Sequence, residues 1–175
     1  LNGWRINAWL SIESVAHRTH HAVRTTHYAE QIMLTQAELT TILPQTYPFL
    51  MIDRVLEIKK GESLTAIKNI TGNEWIFQNQ YFQIDHLPEA FLIEAAAQAA
   101  LVLYAISDDT RGKGIKFLGK VKADMHDLPK IGDQITVKVN LVKLMKNLGF
   151  FNSTICVESK SIADLDLICG VMAND

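Results

Sequence analysis

The sequence predicts an α+β protein in which a curved antiparallel sheet wraps around one long central helix. Three observations predict it. Residues 87–106 read LPEAFLIEAAAQAALVLYAI, an almost wholly apolar run, and a helix apolar on every side is buried on every side. Strict apolar–polar alternation follows that run, which argues for half-buried antiparallel strands. The order of elements is helix, two strands, long helix, four strands. Such a sheet must bury one face, and the central helix is the only large apolar object to bury it against.

Taken in order, residues 34–43 form a short helix leading to Pro44, and 49–59 (FLMIDRVLEIK) form a strand. Lys60-Gly61-Glu62 turns the chain, and 63–71 returns as a second strand. A loop with Trp75, Phe77 and Tyr81 leads to Pro88, which suits the first turn of a helix because its missing N–H costs nothing there. Ala95, Ala96, Ala97, Ala99 and Ala100 are good helix formers, and their small size lets the sheet approach closely. Ile115, Phe117, Val121 and Ala123 then alternate with Lys116, Lys120 and Lys122. Ile135, Val137, Val139 and Leu141 alternate with Thr136, Lys138 and Asn140. Residues 149–158 and 164–172 complete the sheet, with turns at Gly132-Asp133 and Asn147-Leu148-Gly149.

The 175 residues suffice for one domain with a sizeable core, placed at 33–175. Residues 1–32 read as a separate N-terminal extension, a polar arm with four of the six histidines (His17, His20, His21, His27). These histidines come without cysteine or a suitably spaced acidic partner, so no metal site is expected. A formal net charge of −2 gives no electrostatic drive toward nucleic acid or anionic membrane. The central run approaches the length of a membrane span. Glu89, Glu94 and Gln98 interrupt it and amphipathic strands follow, so it reads as a core helix. Cys156 and Cys169 match neither metal spacing nor a disulfide framework, which fits reduced thiols in a cytoplasmic protein.

Glu94 is the anomaly. A carboxylate inside an all-apolar helix costs several kcal/mol unless it is paired, protonated or useful. Gln98 lies one turn on, on the same face. A structural carboxylate held by hydrogen bonds is the plain reading, and a functional site is the other.

Three separated segments carry a resemblance: YPFLMIDRVLEIKKGESLTAIKNIT (47–71), FLIEAAAQAA (91–100) and the Gly132-Asp133-Gln134 turn. From about Leu34 to Met172 the chain resembles FabZ-type 3-hydroxyacyl-acyl-carrier-protein dehydratases. The resemblance implies a hotdog fold and a homodimer, often built up to a hexamer, with two sites at the dimer interface. It implies loss of water from a 3-hydroxyacyl thioester, with no metal or organic cofactor. A loop histidine and a helix carboxylate share the proton transfers, which need groups titrating near neutrality.

The helix carboxylate corresponds to Glu94 and the glutamine after it to Gln98. The family histidine, fourteen residues before the carboxylate, corresponds to Gln80, beside Tyr81. An amide cannot exchange a proton near neutral pH. The glycine after the helix-start proline corresponds to Glu89, which adds negative charge where the family offers N–H groups to the thioester carbonyl. The family's basic patch for its carrier corresponds to Lys122-Ala123-Asp124-Met125-His126-Asp127-Leu128, so the arginines are gone. The resemblance therefore implies a divergent dehydratase homologue, catalytically impaired or partner-dependent. Its substrate is expected to be an acyl thioester on acyl carrier protein or coenzyme A, and its partner another copy or a histidine-bearing paralogue. Alternatives are a dehydratase that uses His86 with Glu94, a thioesterase that uses Glu94, and a non-catalytic acyl-binding subunit. Pro88, Glu89, Tyr81 and Gln98 are the expected substrate-binding neighbours.

Overall fold

A computed structural model describes residues 33–78, 84–109, 114–145 and 147–172; the expectations for residues 1–32, Gln80 and Tyr81 lie outside them. Helix α1 (Gln36–Ile42) begins at Thr35, whose side chain caps Glu38 N while Glu38 reaches back to Thr35 N, a reciprocal capping box. Strands β1 (Arg54–Lys59) and β2 (Ser63–Asn69) form a hairpin through Gly61 at φ 76°, a left-handed conformation that glycine adopts at little cost. Helix α2 (Glu89–Ser107) follows, then β3 (Ile115–Met125), β4 (Gln134–Met145), β5 (Leu148–Val157) and β6 (Lys160–Met172).

The six strands form one sheet in the order β1-β2-β4-β5-β6-β3, antiparallel at every pairing. Helix α2 lies against β2, β3, β4, β5 and β6, so the expected wrapped sheet is what forms. Its alanines at 95, 96, 97, 99 and 100 are at most 2% exposed. On the sheet side, Gly149 makes room: a Cβ there would stand 2.9 Å from the Tyr104 ring and 2.5 Å from that of Phe151. Ile135, Val137, Val139, Ile155, Leu165 and Leu167 close over the helix. Leu92, Leu103 and Ile106 each contribute about 1.5–3 kcal/mol by burial. Within the 19-residue span of α2, the most apolar stretch is 72% buried inside the domain.

The structure corrects several expectations. Residues 49–53 are not strand; β1 begins at Arg54, and the Phe49 carbonyl and Met51 N–H bond a helix side chain instead of a neighbouring strand. Pro88 is the N-cap of α2 rather than a first-turn residue, with φ −62° and ψ 152°. Strand β6 starts at Lys160, four residues earlier than expected, after a tight turn with Glu158 at φ 53°. The alternation of β3 is broken by a bulge between Leu118 and Lys120. Burial around α2 is also uneven. Ala95–Ile106 is buried throughout, whereas Phe91, Ile93 and Glu94 are half-buried and Glu89 is exposed. Cys156 and Cys169 do sit on adjacent strands, but opposite Ser161 and Gly149 respectively, far apart along the ladder; both are free thiols.

Candidate active site

The site assembles where the segment before β1 crosses the first turns of α2. Gln98 is fully buried, and its amide organises both neighbours. Its Nε2 donates to the Phe49 carbonyl at 2.7 Å and to Glu94 Oε1 at 2.8 Å. Its Oε1 accepts from Met51 N at 2.8 Å. One side chain thus pairs with the backbone on both sides of Leu50, as a neighbouring strand would, and leaves the segment free of the sheet. Buried backbone groups must find partners, and here a helix glutamine supplies them. Gln98, expected beside the substrate, has both amide N–H groups engaged within the chain.

Glu94 is half-buried rather than fully buried, since it stands on the turns of α2 that the sheet leaves uncovered. It accepts a second hydrogen bond, from Gln45 Nε2 at 3.1 Å. Both amides converge on Oε1, and no described residue donates to Oε2. Among the described residues, Gln45 Oε1 is itself buried without a partner. Gln45 was not foreseen from sequence: it lies 49 residues from its partner, between Pro44 and an aromatic segment, with no motif of its own. The Cys169 thiol of β6 is close enough to sense the carboxylate. Burial first, then the Glu94 charge, pushes that thiol up to about 12.

An aromatic wall stands beside this carboxylate. Phe49 meets Trp75 edge-on with ring centroids 6.2 Å apart, and Trp75 meets Phe91 at 6.0 Å. Phe91 is one turn before Glu94 on the same face. Phe49 is 58% and Trp75 38% exposed, an unusual display for large apolar rings. Trp75 belongs to a short 3-10 turn, Trp75–Gln78, anchored by an ion pair. Lys68 Nζ is 2.7 Å from Glu74 Oε1 and 3.9 Å from Asp53 Oδ1, with the lysine side chain 4% exposed. A buried lysine persists only when so paired.

His86 joins a different neighbourhood. Its backbone bridges Lys130, and its ring lies 3.0 Å from Asp85 Oδ1, holding that carboxyl below its ordinary value. It lines a surface cavity of about 350 Å³ with Glu89, His126 and Lys130, and neither Glu94 nor Gln45 takes part. In the segment corresponding to the family's basic patch, His126 pairs with Asp164 and Asp127 with Lys160. Among the described residues no group of three or more metal-ligating side chains occurs.

Comparison with known proteins agrees with this fold. The model of the FabA-like domain matches residues 43–166. The FabZ 3-hydroxyacyl-[acyl-carrier-protein] dehydratase of Levilactobacillus brevis is 37% identical over 144 residues, covering 82% of this chain and 97% of its own. The FabZ of Shewanella oneidensis is 36% identical over 136 residues, covering 75% and 88%. In fold, the chain resembles a subunit of the dehydratase heterocomplex ApeI:P from Xenorhabdus doucetiae, with a TM-score of 0.66 and 17% identity over 78% of this chain and 91% of that one. The helix around Glu94, the wrapped sheet and these relatives coincide: the chain belongs to the FabZ-type 3-hydroxyacyl-acyl-carrier-protein dehydratase family of hotdog proteins.

Proposed function

We propose that this protein is a dehydratase subunit that supplies Glu94 to a site completed by a second, histidine-bearing subunit. The observation that carries the reading is the Glu94 carboxylate, fixed through Oε1 by two amides and not capped at Oε2 by any described residue. Positioned carboxyl groups of this kind serve proton transfer. The chain's own counterpart of the family histidine is Gln80, which has no proton to exchange near neutrality. The long strand β3 lies at one edge of the sheet, where a second subunit can extend it. The dehydratase ApeI:P from Xenorhabdus doucetiae, whose fold this chain resembles, is a heterocomplex.

The substrate in this reading is a 3-hydroxyacyl thioester on acyl carrier protein. The partner's histidine removes a proton from C2, and the C2–H electrons form the C2–C3 double bond. The C3–O bond breaks, and Glu94 Oε2 gives its proton to the departing hydroxyl, which leaves as water. Phe49, Trp75 and Phe91 offer apolar surface for the acyl chain. The reciprocal site, with Gln80, is silent.

Complementation tests this. A FabZ protein whose own helix carboxylate is replaced by glutamine is mixed with this chain and given a 3-hydroxyacyl carrier-protein thioester. The enoyl product is expected from the mixture, from neither protein alone, and not when Glu94→Gln is used. Turnover by this chain alone, of hydroxyacyl or plain acyl thioester, or no gain on mixing, overturns the reading.

A further inference from the structure

Two glutamines hold Glu94, and they are built differently. Gln98 spends its carbonyl on Met51 N and its amide on both Phe49 O and Glu94; it would be needed even if Glu94 were absent. Gln45 makes one side-chain hydrogen bond among the described residues, to Glu94 Oε1. Its carbonyl is buried and, among the described residues, unpaired. A glutamine kept for structure satisfies both ends of its amide, because a buried acceptor without a partner is a standing cost. A cost of that kind at one residue beside a reactive group marks a site where function overrides packing.

We propose that Gln45 is a positioning residue for Glu94: with Gln98 it keeps Oε1 in the acceptor role, so that the proton Glu94 exchanges rides on Oε2. The proposal rests on the reading of Glu94 as a proton donor given above. Two N–H groups aimed at one carboxyl oxygen leave no room for hydrogen there, and the carboxyl plane is fixed by two contacts instead of one. A single donor would leave the group free to turn about its last side-chain bond and to present either oxygen to the substrate. Among the described residues the carboxylate is hydrogen-bonded by Gln98 on its own helix and Gln45 on the preceding segment, and its charge acts on Cys169 on β6. Among the described residues no charged side chain forms an ion pair with Glu94, so orientation falls to the amides.

The variant Gln45→Met keeps the shape and removes both amide atoms. Three measurements on the full chain separate the outcomes. In the complemented mixture, kcat is expected to fall about tenfold or more with KM within twofold, as expected when only the reacting geometry is lost. Denaturant midpoint is expected to hold or rise, since an unpaired carbonyl is gone, whereas Gln98→Met should lower it. The carbon-13 signal of the Glu94 carboxyl is expected to move in Gln45→Met and return toward its original position in Gln45→His, whose ring N–H restores a donor. If wild-type mixtures do not turn over, the dehydratase reading fails, and the carboxyl signal alone decides on Gln45. A carboxyl signal unchanged in Gln45→Met overturns the proposal. So does a variant that loses stability as Gln98→Met does while kcat is retained.

Discussion

The two parts of helix α2 make an instructive pair. From Ala95 to Ile106 the helix is sealed inside the sheet, and its alanines set how near the strands come. From Glu89 to Glu94 the same helix stands half-open, with Phe91 against Trp75 and Glu94 held by amides. One continuous element thus serves as the beam of the core and as the platform of the site. The rigidity of the first part gives the second its positional accuracy, which catalytic groups need more than flexibility.

The division predicts that stability and activity respond separately along one helix. Glu94→Gln is expected to cost about 10²–10⁴-fold in rate, the usual worth of a proton-transferring group, with an unchanged denaturant midpoint; a comparable loss of stability would merge the two parts. Leu103→Ala, inside the sealed part, is expected to cost about 2–5 kcal/mol in urea unfolding while the folded fraction keeps its activity. Gln98→Met sits on the boundary and is expected to lose both. Met51 N and Phe49 O are orphaned at about 1–3 kcal/mol each, and turnover falls because residues 49–51 move.

The subtlest prediction concerns Cys169. Its thiol is held at about 12 in the folded protein, against roughly 8.5 for a free thiol. The raised value means that its contribution is complete below pH 8.5 and fades as pH rises toward 12, because the unfolded chain releases the proton first. By pH 10 the loss is about 2 kcal/mol. The stability of Cys169→Ala should therefore fall less steeply than the wild type between pH 8 and 10; parallel curves would contradict the burial argument.

Much of this arrangement was legible in the sequence. The central helix and the strands around it followed from apolar runs and alternation, and Glu94 announced itself as a carboxylate near the middle of an apolar run. Two of the missed features, the Gln98 pairing and the Gln45 contact, depend on side-chain hydrogen bonds across long separations. Phe49 to Ile52 is an apolar run that reads as strand, and only Gln98, nearly fifty residues away, shows that a side chain replaces the ladder. Gln45 is invisible because its side-chain partner, Glu94, lies 49 residues away. Strand β6 begins early because Glu158 accepts a left-handed turn without the glycine that would have advertised it. His86 attracted notice by its place before the helix, yet its ring faces Asp85 and a separate cavity.

The strand order has a consequence for biosynthesis. Helix α2 leaves the ribosome before β4, β5 and β6, and β3 has no sheet neighbour until β6 arrives, since β6 is the strand it pairs with. At roughly 5–20 residues per second, the faces of this apolar helix that β3 to β6 cover wait several seconds for those strands. Co-translational chaperone capture is expected to peak when residues 107–160 are emerging.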